Sequence, residues 1–128
     1  KYLEKRGYPK IVNDLNKHKF ISYGKGAPSP VFNPDWALKL GMKDNKKRKS
    51  IMKVNSIMGL LLAVESGVGI AALPDYLVSL SSNLIKLIPS EQGPITEAYF
   101  VYPESLRNVA RVQAFRNFLY SKISEWKF

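Results

Sequence analysis

The sequence has 128 residues, 45% hydrophobic and 23% charged, which fits one folded core of ordinary size and excludes a disordered chain. Its apolar stretches are too short and too interrupted to span a bilayer, and without cysteine neither disulfides nor thiolate metal sites are available. The net charge of +10 suits an anionic partner, although a lysine-rich solvated surface is the plainer reading.

Residues 2–6 read as the tail of a helix, stopped by Gly7 and Pro9. Ile11, Val12 and Leu15 suggest a second short helix ending near His18, and residues 19–23 a strand carrying Phe20, Ile21 and Tyr23. Two glycines and three prolines between 24 and 34 forbid regular structure there. The apolar run 36–40 reads as a strand, and Asp44-Asn45 as turn chemistry that could join it to residues 50–54 as a hairpin. Between them lie Lys43, Lys46, Lys47, Arg48 and Lys49. That run reads either as a solvated turn or as a phosphate-contacting patch, and the solvated turn is the plainer reading.

The organising stretch is residues 53–78. Asn55 or Ser56 can cap a helix whose apolar face is Ile57, Leu60, Leu61 and Val64. Gly67 stands where a left-handed C-terminal cap belongs, because glycine carries no Cβ penalty there. Residues 68–73 then form an apolar run without alternation, as in a strand covered on both faces, and Pro74 opens a short helix over 75–80. Strand, helix, strand and helix in that order imply a parallel sheet with helices packed on it. Beyond it, residues 84–88 and the alternating 95–102 read as strands, with Pro103 closing the second. A final helix runs from Leu106 or Asn108 to the end and is about 30 Å long. Its apolar stripe is Val112, Phe115, Leu119, Ile123 and Trp126.

No enzyme emerges from these residues. His18 is the lone histidine, in a lysine-flanked turn without a serine or acidic partner at a recognisable spacing. Gly67-Val68-Gly69 follows a helix and opens a strand, the reverse of a dinucleotide loop, and Gly24-Lys25-Gly26 lacks the Lys-Ser/Thr pair of a phosphate loop. No cofactor is expected. A binding cleft is, because ligands of parallel sheets collect at the carboxyl ends of strands. The candidate residues are Ser22, Tyr23 and Gly24 at the end of one strand, and Asn55 and Ser56 at the end of another. For Asn55 and Ser56, capping alone and capping plus ligand contact stay equally open.

The run Val54-Asn55-Ser56, then Leu61-Leu62-Ala63-Val64-Glu65-Ser66-Gly67-Val68-Gly69-Ile70-Ala71-Ala72-Leu73-Pro74-Asp75-Tyr76-Leu77-Val78, resembles the effector-binding domain of LysR-type transcriptional regulators. Ala98-Tyr99-Phe100-Val101-Tyr102-Pro103-Glu104, Arg107-Asn108, Arg111-Val112 and Ala114-Phe115-Arg116-Asn117-Phe118-Leu119 continue the pattern. Tyr2-Leu3, Gly7-Tyr8-Pro9, Asp14-Leu15 and His18 match the way the second half of that domain starts. No one of these motifs is diagnostic; their ordered series along nearly the whole chain is.

The resemblance implies an α/β fold, a mostly parallel sheet with helices on both faces. Residues 1–94 would be the second lobe of a type 2 periplasmic-binding-protein-like domain. Residues 95–128 would be a crossover strand and C-terminal helix belonging to the first lobe. It implies a cytoplasmic, non-enzymatic sensor of a small-molecule effector, working within an oligomer; the cationic charge of the lobe favours an anionic effector. The family's DNA-reading helix-turn-helix is not among these residues, so the chain is expected to be a piece of a longer protein. With the first lobe's sheet missing, the stripe from Val112 to Trp126 would be an oligomer interface, docked on a second copy. A solute-binding protein of a transport system, built on the same fold, is the alternative, and residues upstream of Lys1 would separate the two.

Overall fold

A short buried strand, β1 (Phe20–Tyr23), carries the packing on both of its faces. In the computed structural model, which describes residues 1–24, 35–78, 81–95 and 97–125, β1 pairs in parallel with β2 (Ser50–Val54). Phe20 faces Ser50, Ile21 faces Met52, Ser22 faces Lys53 and Tyr23 faces Val54, which leaves Ile51 as an extra residue on β2. On the other side of β1, Ile21 N–H donates to the Ile70 carbonyl and Ile70 N–H to the Lys19 carbonyl, each at 2.9 Å.

Strand alternation sends Phe20 and Ile21 to opposite faces, and each seeds a core. Phe20 packs with Leu15, Leu38 and Ile70, flanked by Tyr2 and Leu3 of α1 (Tyr2–Arg6) and by Val12 of a 3-10 turn (Val12–Lys17). Ile21 packs with Leu60 and Ala63 of α3 (Ile57–Glu65). The chain is therefore α/β, a small parallel sheet with helices on both faces.

The central unit forms as its residues dictate. Ser56 Oγ accepts from Gly59 N–H at 3.3 Å, satisfying one of the helix's first donors. At the other end Gly67 has φ 76°, Gly67 N–H donates to the Val64 carbonyl and Val68 N–H to the Ala63 carbonyl. That pair of bonds is a Schellman cap. After Pro74, α4 covers Asp75–Val78; residues 79 and 80 lie outside the described set.

Four expected strands take other forms. The run 36–40 is the helix α2 (Trp36–Lys39), so there is no hairpin, and β2 pairs with β1 instead. Ala37, Leu38 and Lys39 are strong helix formers, and an apolar run this short carries no period to separate the two structures. Asp44 and Asn45 do turn the chain, both with φ near 55° (56° and 54°). The run 68–73 contributes only the bridge at Ile70. Residues 84–88 form no ladder; Ile88 sits at φ 47°, its carbonyl accepts from Glu91 N–H, and with Leu87 it packs on the Phe20 core. Burial there is won by capping a core, not by extending a sheet. The run 95–102, apart from Thr96, which lies outside the described residues, makes no ladder either.

The chain divides into two compact units, Lys1–Thr96 and Glu97–Phe128. The second holds a 3-10 turn (Glu104–Leu106) and α5 (Ala110–Ser124), with the Phe100 ring against Tyr102 and Phe115. No residue of α5 is buried: Val112 and Leu119 are partly covered, while Phe115 and Ile123 are 52% and 49% exposed. Trp126 lies outside the described residues. No helix among those described is long and apolar enough to cross a membrane.

Candidate functional site

Parallel pairing brings the carboxyl ends of β1 and β2 to one edge of the sheet. Gly24 N–H donates to the Val54 carbonyl at 2.7 Å, extending the ladder by one bond, and Tyr23 Oη donates to the Asn55 carbonyl at 3.0 Å. Ser22, Tyr23, Gly24, Asn55 and Ser56 are thereby gathered at that edge. Ser22 and Tyr23 are buried, Gly24 is half-buried, and Asn55 and Ser56 are exposed. The five do not share one face, because alternation sends the Ser22 and Tyr23 side chains to opposite sides. One role is already filled, since Ser56 Oγ caps α3. Gly24 is not held to glycine by crowding: an added Cβ would meet nothing nearer than the Val54 carbonyl oxygen at 3.5 Å. The loop expected over 24–34 lies, beyond Gly24, outside the described residues.

A cleft of about 250 Å³ opens beside this edge, on the α2 side. Ser22 and Tyr23 line it together with Asp35 and Leu38. Its remaining wall is cationic, made by Lys47, Arg48, Lys49 and Lys53 with Ser50. Lys47 Nζ meets Asp35 Oδ2 at 3.2 Å.

Arg48 plays a different part from the lysines. It is 8% exposed, and its guanidinium lies over the Phe20 ring, 5.7 Å from the centroid. Its Nε donates to Asn16 Oδ1 at 2.8 Å, Nη1 to the carbonyls of Leu40 (2.7 Å) and Ala37 (3.3 Å), and Nη2 to the Val12 carbonyl at 3.3 Å. Every one of these acceptors is neutral. Burial pulls its pKa down, yet an arginine keeps its proton, so the charge stays in the wall of the cleft.

From sequence the basic run 43–49, with Lys47 and Lys49 in it, reads as a solvated turn in preference to a phosphate-contacting patch, and Lys53 carries no signal of its own. Read as a hairpin turn, that run projects into water. Pairing β2 with β1 in parallel instead carries Lys49 and Lys53 alongside Ser22.

Away from this edge, a second cleft of about 340 Å³ adjoins Lys19, at the amino end of β1, and is lined by Tyr2, Arg6 and Gly67 among others. It contains none of the expected site residues. His18 stands near it in sequence, its ring 5.8 Å from that of Tyr2, whose Oη accepts from Lys19 N–H at 2.7 Å. The Nδ1 of His18 is enclosed without a hydrogen-bond partner among the described residues, and burial pushes the imidazole pKa below 6.5. Among the described residues no three His, Asp or Glu side chains are grouped so as to hold a metal ion.

The family model described as the LysR substrate binding domain matches residues 2–123. No curated protein and no solved structure matches the chain.

Proposed function

The chain belongs to the LysR substrate binding domain family, and on that premise we propose that it is the effector-sensing part of a LysR-type transcription regulator. The observation that carries this reading is the juxtaposition of Tyr23-Gly24 with Asn55-Ser56 where two parallel strands end. Such an edge offers backbone donors and a helix amino end to a bound molecule. The family match favours a regulator over a transport solute-binding protein.

In this reading the domain is not an enzyme: the site has only to bind, and binding shifts a conformational equilibrium. Residues 1–94 act as the second lobe of a periplasmic-binding-protein-like domain, and 95–128 belong with the first lobe, as crossover segment and helix. The family's DNA-reading helix-turn-helix belongs to the full-length protein, outside these residues, and the protein works in the cytoplasm. The α5 stripe, Val112, Phe115, Leu119 and Ile123 with Trp126, meets a second copy of the chain. Its support is the exposure of Phe115 and Ile123, since leaving such side chains in water forfeits roughly 1.5–3 kcal/mol each.

A thermal-shift screen of the chain against small metabolites tests the reading. A ligand of the native state raises Tm with concentration, and the rise should shrink in Asn55→Ala. Hits indifferent to Asn55→Ala and to Gly24→Val would place the effector elsewhere.

A further inference from the structure

The cleft on the α2 side has more positive charge than its own residues use. Of its four cations, Lys47 alone meets a carboxylate among the described residues. Among the described residues Arg48 donates to neutral oxygens alone, so its buried charge adds to the potential there without being cancelled by a carboxylate. A charge held in a poorly solvated wall acts more strongly on its neighbours than the same charge in water. Lys49 and Lys53 are exposed, their ammonium groups free to close on a ligand. Ser22, 5% exposed, turns what surface it has to the same cleft and supplies a hydroxyl donor. The cleft, at about 250 Å³, has room for a small acid and not for a chain of any length.

We infer that this cleft takes an oxyanion, the carboxylate or phosphate group of the effector, held by Lys49, Lys53 and Ser22. The inference rests on the effector reading above and names the chemical class of the molecule sensed. Arg48 is a positioning residue: its fork ties the 3-10 turn and α2 to the entry of β2, fixing where Lys49 begins. Lys47, already paired with Asp35, takes no part.

The test is an amide NMR titration of the full chain with inorganic phosphate and, separately, with acetate, at constant ionic strength. Saturable shifts are expected at Ser22, Lys49, Ser50 and Lys53. Affinity should fall about tenfold in Lys49→Gln with Lys53→Gln, the loss expected when charge-assisted contacts go, and hold in Lys10→Gln. Shifts that grow linearly over all exposed lysines, or a double variant that binds as tightly as the parent, would overturn the inference. Neutral fragments that shift Gly24, Asn55 and Ser56 in a protein indifferent to both anions would keep the effector reading and overturn this one. Saturable anion binding with no neutral or anionic compound ever moving those three amides would do the reverse.

Discussion

Arg48 Nε donates to Asn16 Oδ1 at 2.8 Å, tying the residues that enter β2 to the turn that precedes β1. Removing the guanidinium in Arg48→Met leaves Asn16 and the carbonyls of Val12, Ala37 and Leu40 without that donor. The expected cost is about 2–4 kcal/mol, read as a lower urea midpoint at unchanged slope. Arg48→Lys should recover less than half of it, because one ammonium cannot reproduce the planar fork.

Gly69 is expected to tolerate nothing larger. An added Cβ would run into the carbonyl oxygen of Lys19, the acceptor of Ile70 N–H in the bridge that extends the sheet. Gly69→Ala should therefore cost about 1–3 kcal/mol. Gly24→Ala, with only ordinary contacts from 3.5 Å outward, should stay within about 0.5 kcal/mol. Equal losses in the two would contradict the close approach at Gly69.

His18 sets one limb of the pH profile. Burial lowers its folded-state pKa below 6.5, with Arg6 and Lys17 adding to the effect and Asp14 opposing it. The unfolded chain then binds the proton more readily, so stability rises with pH across the window between the folded pKa and 6.5. It is complete above 6.5 and lost as pH falls through the folded value. Asp14, held below 3.8 by the N–H groups of Lys10 and Ile11, acts in a separate window at lower pH. As there is one histidine, His18→Phe should flatten the upper limb and leave the lower one. Urea midpoints measured from about pH 7.5 down to about pH 2.5, across both windows, check this.

The α5 stripe should drive self-association. Sedimentation of the full chain is expected to show a dimer that Phe115→Asp with Leu119→Asp converts to monomer. A parent chain that stays monomeric at high concentration would contradict the proposed interface.

What the sequence made legible was the local chemistry. Ser56, Gly67 and Pro74 each have one backbone role that fits them, and each stands near a helix end. Periodicity placed α3 and α5 for the same reason: nine and fifteen residues are long enough to show a period. Trp36 to Leu40 were too few to do so, and the misreading spread, since a strand there made a hairpin the natural partner for β2. The strand-end residues could be named because parallel topology gathers such ends whatever their identity. The basic run could be named but not placed, because whether it faces water or a cleft depends on which neighbour β2 chooses, a long-range pairing that no short motif encodes.

The central claim is that an effector binds where β1 and β2 end. The most direct measurement is a map of amide shifts over the full chain, titrated with a fragment library of neutral and anionic compounds. The account predicts saturable shifts at Ser22, Tyr23, Gly24, Asn55 and Ser56. Hits confined to Tyr2, Lys19 and Gly67, around the cleft at the opposite end of β1, would contradict it.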